Sequence, residues 1–345
     1  MRSPIFLIGY PSDIGGASSE AWHTIKLWRS RGVDVRLIPT WEAPPYWKQK
    51  ADSLGCVTHE GVDVNALDKV PDLKGGLCVV FCNRRFLLVS DRFRSLGCRV
   101  IWVNCMTWTS AVEEMVGQRD GPFDAYVFQS CYQRDRLESE LSEWGYAPDR
   151  GHLIRGAFDW RQFPYSPRPH EPGSPFVVGR ISRAAPDKFH AETWAIYGNV
   201  KYRPLEARVL GWGPEVADKI GEPPQWAEVI EPGGEKARDF YQSIHCLFHA
   251  TGGSRENWPR VGLEAMSAGV PIVAERAYGW PEMISSGVTG LLGHTPEEMS
   301  HQASLLANDE ALRLRMAVNA REALEGHLAT QGPLWAAWEA LFDSL

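Results

Sequence analysis

The stretch from Ser254 to Ala274, SRENWPRVGLEAMSAGVPIVA, constrains the fold more than any other part of the chain. It reads as loop, helix, tight turn and buried strand. Pro259 suits the first turn of a helix, where its missing N–H has no intrahelical partner. Gly269 supplies a left-handed stop just past the end. VPIVA is short, apolar and β-branched, as expected of a parallel strand covered on both faces. Glu256 lies in the loop before the helix and Glu264 lies inside it, with seven residues between them. A helix N-terminus at the carboxyl edge of a parallel sheet is an anion site, because free N–H groups and the dipole point at the ligand. A carboxylate one to two turns on reaches hydroxyls of the same ligand. Together these suggest a phosphate bearing sugars at both ends. The plainer alternative is a surface helix carrying two solvated glutamates.

The chain has 345 residues, long enough for two domains of ordinary size. Hydrophobic residues make up 44% and charged residues 23%, which supports a sizeable core and argues against disorder. No apolar run approaches the roughly 20 residues that span a bilayer, so no integral membrane segment is expected. The N-terminus runs straight into a strand, IFLIGY, without the pattern of a secretory signal. Seven cysteines, an odd number without Cys-x-x-Cys spacing, suggest reduced thiols and a cytoplasmic location. Cys78 and Cys82 read as small core residues rather than metal ligands, and no metal site is expected. Net charge is −7, so there is no global electrostatic case for a nucleic-acid or anionic-membrane partner. The 15 tryptophans suit the core or a domain interface, or stacking on sugar faces.

Taken in order, IFLIGY and PSDIGGASSEAWHTIKLWRSRG predict strand, glycine loop and helix. That helix opens at Ser18, Ser19 and Glu20, carries Trp22, Ile25, Leu27 and Trp28, and ends at Gly32. VDVRLIPT is a second strand, and the unit opens a doubly wound sheet with its ligand crevice at the carboxyl ends of the strands. GLCVVFC, RVIWVNCMTW and DAYVFQS read as further buried strands. The five prolines of PYSPRPHEPGSP forbid regular structure and mark a linker. FVVGR opens a second domain, and Pro186-Asp187 starts a helix with Lys188 in its first turn. EARVLGWGP is strand and glycine turn, and AEVIEPGGEKARDFYQSIHCLFHA is strand, loop, helix, strand. Thr295 and Pro296 start a pair of amphipathic helices. The tail PLWAAWEALFDSL is apolar through Leu334, Trp335, Trp338 and Leu341. Expected domains are 1–163, a linker 164–175, 176–328, and a C-terminal helix 329–345.

The Glu-x7-Glu spacing with LEAMSAGVPIVA, and the continuation AYGWPEMISSGVTGLL, resembles the donor motif of retaining nucleotide-sugar glycosyltransferases of the GT-B fold, family 4. The likeness covers about 45 residues around the motif. It extends to Gly15 and Gly16, similar to the family's N-terminal glycine loop, to RGAFDWRQFP closing the first domain, and to the Gly179-Arg180…Lys188 pattern. It implies two Rossmann-like domains with parallel sheets facing a cleft, and a C-terminal helix crossing back to the first. It also implies a sugar transfer from a nucleotide-diphosphate sugar to an acceptor hydroxyl, with retention and without metal or other cofactor. By resemblance Arg180 and Lys188 bind the diphosphate, Glu256 serves the transferred sugar and Glu264 the ribose. Gly15, Gly16, Gly179, Trp258, Arg260, Val261 and Glu282 line the donor.

Chemically, an Arg fork and a Lys point charge beside a pyrophosphate neutralise the leaving group. Without the other motifs they would read as two surface cations. The sequence departs from the family at the Glu256 loop, where TGGSR is also longer than usual, and at one strand end. Glu256-Asn257-Trp258-Pro259 lacks both glycines of the usual Glu-Gly-Phe-Gly, and Pro259 removes a backbone donor. The strand end Asn104-Cys105-Met106-Thr107-Trp108 lacks the family's histidine, so no general base is assigned. The expected acceptor is a glycan or small molecule, with a modified nucleobase in DNA as the rival. An epimerase-like or non-catalytic nucleotide-sugar-binding protein of the same fold is the alternative of a different class.

Overall fold

A computed structural model describes residues 3–11, 16–39 and 46–345. The chain divides into two compact units, Met1–Phe158 with Gln331–Leu345, and Asp159–Thr330. The first holds β1 (Ile5–Ile8), β2 (Val35–Ile38), β3 (Val57–Thr58), β4 (Leu77–Phe81), β5 (Arg99–Val103), β6 (Ala125–Phe128) and β7 (Gly151–Leu153). All pairings are parallel, in the order β3-β2-β1-β4-β5-β6-β7, so the order reverses between β1 and β4. Alternate residues of β1 feed opposite cores: Ile5 and Leu7 pack on the side of Trp28, Phe6 and Ile8 on the other. That two-sided burial is why these strands read as continuous apolar runs. The helix Gly16–Ser30 begins two residues before Ser18, so Gly16 is its first residue. The helix Gln331–Ser344 joins this unit by setting the Trp338 indole edge-on to Trp28, with ring centres 5.0 Å apart. β3 and β7, of two and three residues, had no apolar signature to announce them.

A capping box opens the helix Ala111–Asp120 beyond β5: Ser110 accepts from the Glu113 N–H at 3.2 Å. Glu113 itself is buried, 3.4 Å from Asn104 Nδ2. Burial pushes its carboxyl up to about 7. The folded state therefore holds that proton more tightly than the unfolded chain, and the stabilisation present below the ordinary carboxylate range is lost as pH rises towards 7. Glu113→Gln should flatten this decline, which has a limiting slope of about 1.4 kcal/mol per pH unit. Urea unfolding at pH 5 and pH 8 checks it; parallel pH trends in the two proteins contradict it.

The second unit holds β8 (Phe176–Ile181), β9 (Leu205–Leu210), β10 (Ala227–Ile230), β11 (Cys246–His249), β12 (Ile272–Glu275) and β13 (Leu291–Gly293). It is again fully parallel, in the order β10-β9-β8-β11-β12-β13. Order reverses between β8 and β11, and ligands of such sheets bind at the carboxyl ends beside that reversal. The proline-rich stretch 164–175 contains no helix or strand, yet it is tied along this unit rather than left free. Ser166 N donates to Ala268 O at 3.0 Å, and buried Arg313 reaches Arg168 O at 2.6 Å. Prolines cannot join a ladder, but their neighbours' carbonyls still find donors. Cys78 is buried as expected, whereas Cys82 is only half-buried and stands at φ 45°, at the end of β4.

Candidate functional site

The site is built where β8 and β11 end. The helix after the Glu256 loop runs from Arg260 to Ala268, and Pro259 is its N-cap residue rather than part of the first turn. Its carbonyl accepts from Gly262 N at 2.9 Å, the ordinary duty of a cap position. Gly269 closes the helix at φ 82°, and Val270 N returns to Ala265 O at 2.9 Å. The loop before the helix is pinned to the next turn. Gly279 N donates to Glu256 O at 2.9 Å, and a Cβ at Gly279 would sit 1.5 Å from Asn257 O. Only glycine lets the two backbones approach so closely.

Lys188 ends a three-residue 3-10 turn, Pro186–Lys188, and the expected helix starts only at Thr193. That turn is nonetheless well placed. Gly252 N and Ser254 N both donate to Asp187 O at 3.0 Å, which clasps the Glu256 loop against it. Lys188 Nζ then lies 2.7 Å from Glu256 Oε1 and 2.7 Å from Ser254 Oγ. Ser254 Oγ also reaches Glu256 Oε1, at 3.1 Å. The two charged side chains are 16% and 14% exposed, enough to meet a ligand while largely dry.

Arg180 takes a different position from the one the family resemblance implied. Its guanidinium is fully buried over the Phe189 ring, donating to Ala250 O at 3.1 Å and to Lys188 O. Its Nε is buried without a partner. Two of its donors thus hold the Lys188 turn to the end of β11, and its charge is felt by Glu256. Gly179 sits inside β8, where a Cβ would fall 2.4 Å from Ile244 Cδ1. Its missing side chain is filled by packing. Gly16 opens a helix with open space around it, and Gly15 lies outside the described residues.

The remaining predicted residues divide. Trp258 is buried in the loop, while Arg260 and Val261 occupy the first turn, half-buried. Glu264 is half-buried on the same helix, with Oε2 3.0 Å from the Tyr241 hydroxyl. Burial pushes its carboxyl up, opposed by the Arg260 charge and the Tyr241 bond. Glu282 belongs to the short helix Trp280–Met283 and lines an open cavity of about 670 Å³ with Asn319 and His327.

Sequence reasoning missed Ser254, Tyr241 and His249. His249 ends β11, fully buried, with Nε2 3.9 Å from Glu256 Oε1 and its ring centre 4.9 Å from that of Trp280. Burial, then the charges of Arg180 and Lys188, hold its pKa well below the usual histidine value, so it stays neutral. In the first unit a cavity of about 270 Å³ lies at the β1–β4 reversal, lined by Gly9, Tyr10, Ser18, Asn83, Arg84 and Arg85 among others. Among the described residues no group of three or more His, Cys, Asp or Glu is placed to hold a metal ion.

Residues 229–323 match the model of glycosyl transferases group 1. Over 92 residues the chain is 36% identical to the D-inositol 3-phosphate glycosyltransferase of Corynebacterium glutamicum (strain R), 26% of this chain and 21% of that protein. Over 131 residues it is 31% identical to the Corynebacterium kroppenstedtii protein of the same name, 36% of this chain and 26% of that one. The chain thus spans about a quarter of the length of these relatives. The whole chain is similar in fold to Anabaena Alr3699/HepE in complex with UDP and glucose, with a TM-score of 0.74, 16% identity and 100% of both chains covered. An S. aureus TarM mutant in complex with fondaparinux, alpha-GlcNAc-glycerol and UDP gives 0.78 at 11% identity, covering 99% of this chain and 100% of that one. Residues 229–323 thus match the glycosyl transferases group 1 family, on a chain of two parallel-sheet domains with the GT-B fold.

Proposed function

We propose that the chain transfers a sugar from a nucleoside-diphosphate sugar to an acceptor hydroxyl, with retention and without a metal. The observation that carries this reading is the clasped Lys188–Ser254–Glu256 group at the carboxyl edge of the second sheet, followed directly by the helix bearing Glu264. In transfer, the bond from the anomeric carbon to the diphosphate breaks, a bond to the acceptor oxygen forms, and the acceptor hydroxyl's proton passes to the departing diphosphate oxygen. Lys188 and the N–H groups of the first helical turn meet the negative charge growing on the diphosphate. Arg180 adds charge and fixes the Lys188 turn. Glu256 faces the anomeric carbon as it becomes positive, and Glu264 receives the ribose hydroxyls. Retention rests on the family 4 likeness alone. Metal independence rests on these cations and the helix end supplying the neutralisation.

The relatives act on D-inositol 3-phosphate by name, and the Anabaena and S. aureus structures hold UDP. UDP-sugars and small polyol or glycan acceptors are therefore the first to test. Among the described residues no helix is long and apolar enough to cross a membrane. With none of the seven cysteines in a disulfide, a cytoplasmic location fits the reading.

The test is a thermal-shift panel of UDP-, GDP- and ADP-sugars with and without chelator. A donor at a hundred times its Kd should add about 2.7 kcal/mol of stability. No shift with any donor overturns the reading. Transfer that chelator abolishes and magnesium or manganese restores overturns its metal-free form.

A further inference from the structure

Tyr241 belongs to the helix Ala237–Gln242, 23 residues before Glu264, and its ring is fully buried with Phe163 against it. Its hydroxyl stands between two acceptors, Glu264 Oε2 at 3.0 Å and the Val261 carbonyl oxygen at 3.1 Å. Glu264 Oε1, by contrast, meets no hydrogen-bond donor among the described residues. Resting on the functional reading above, we propose that Tyr241 is a positioning residue for Glu264. It holds one carboxylate oxygen from inside the domain, so that the other is presented to a ribose diol.

The physics of a single shared proton supports this. Burial and the nearby carboxylate push the Tyr241 hydroxyl well above its usual pKa, so it keeps its proton and must donate it. Of its two acceptors, an ionised carboxylate forms the stronger bond. When Glu264 is protonated, the order reverses: the acid donates to the tyrosine oxygen, and the tyrosine donates to Val261 O. The hydroxyl therefore favours the charged form of a carboxyl that burial pushes towards the neutral one. A ribose diol donates two hydrogen bonds and needs the charged form.

The neighbouring charges do not replace it. Arg260, on the same helix, stabilises the Glu264 carboxylate, and Arg180 of β8 acts on Tyr241. Arg321, from the helix Glu310–Ala323, reaches this helix at Ser267 O, 2.6 Å away, and pairs with Glu325. Arg161, on the 3-10 turn Trp160–Gln162, lies over the Trp160 ring and 3.9 Å from Asp159. Glu275, at the end of β12, is held by Thr251.

The experiment compares the parent protein with Tyr241→Phe, which keeps the buried ring and removes the hydroxyl. In the free protein, carbon-13 NMR of the Glu264 carboxyl should show its titration moving up by about one pH unit. Calorimetry with UDP, GDP and ADP then reads function. At pH 8 the variant should bind within about threefold of the parent, and below the shifted titration about tenfold more weakly, since one pH unit is a factor of ten. A purely structural role would weaken binding equally at every pH. Glu264→Gln should bind weakly and show no pH slope, with or without Tyr241→Phe. An unmoved Glu264 titration in a variant that still binds nucleotide overturns the Tyr241 assignment alone. A parent protein that binds none of the three overturns the functional reading and the ribose contact with it, while the NMR shift still reports the Tyr241–Glu264 bond.

Discussion

Glu256→Gln should lower the transfer rate about a hundredfold while leaving nucleoside-diphosphate affinity within about threefold. A hundredfold corresponds to roughly 2.7 kcal/mol of transition-state stabilisation. The amide keeps the shape of the carboxylate, and its oxygen still accepts from Lys188 Nζ and Ser254 Oγ, both within 3.1 Å of Oε1 in the parent. The loss is charge, felt most when the anomeric carbon turns positive. Lys188, no longer neutralised by a carboxylate 2.7 Å away, offers more of its charge to the diphosphate, so ground-state binding has no reason to weaken. Single-turnover rates, calorimetric affinities and circular dichroism of the variant decide the matter. A rate equal to the parent would reduce Glu256 to a loop carboxylate whose only task is to hold Lys188.

The helix, left-handed stop and buried strand around Glu264 were legible because each has a local cause: Gly269 at φ 82°, and apolar runs that only a two-sided parallel sheet buries. The same reasoning placed Thr295 and Pro296 at a helix start, and the structure has Thr295 as the N-cap with Pro296 behind it. It failed where the cause is tertiary. β3 pairs only Val57 and Thr58, with Val57 50% exposed, so no periodic pattern marked it. Pro186-Asp187 carries a helix-start signature, but Phe189 is needed in the core and stays extended, which stops the turn at Lys188.

The site divides along the same line. The family resemblance brought Lys188 and Glu256 into one candidate group, and they touch across 68 residues. Spacing could not tell an arginine at a strand end that faces a ligand from one turned inward onto carbonyls. Arg180 does the latter, because the chain after it folds Phe189 over the guanidinium. Gly179, implied by the resemblance to line the donor, faces Ile244 instead. Tyr241, His249 and Ser254 had no motif to flag them; each matters only through a partner distant in sequence or through the loop's closure onto Asp187.

Lys188→Met should raise the dissociation constant for nucleoside diphosphate about a hundredfold, near the upper range for one charge-assisted contact, about 2.7 kcal/mol. It should also cost stability without any ligand. The Glu256 carboxylate, 14% exposed, would keep Ser254 Oγ as a donor but lose its cation. Breaking a buried pair typically costs about 3–5 kcal/mol, and the partial exposure here brings the expectation to about 1–3. The second mutation separates the two effects. In Lys188→Met with Glu256→Gln no uncompensated charge remains, so stability should return to within about 1 kcal/mol of the parent, leaving a large coupling term between the two sites. Affinity should not return, because the cation that meets the diphosphate is still missing. Urea unfolding and nucleotide calorimetry on the two single variants and the double complete the cycle. If Lys188→Met bound nucleotide like the parent, the diphosphate contact would be wrong. If the double variant were as unstable as Lys188→Met alone, the pair would owe its stability to the lysine's packing along the loop rather than to its charge.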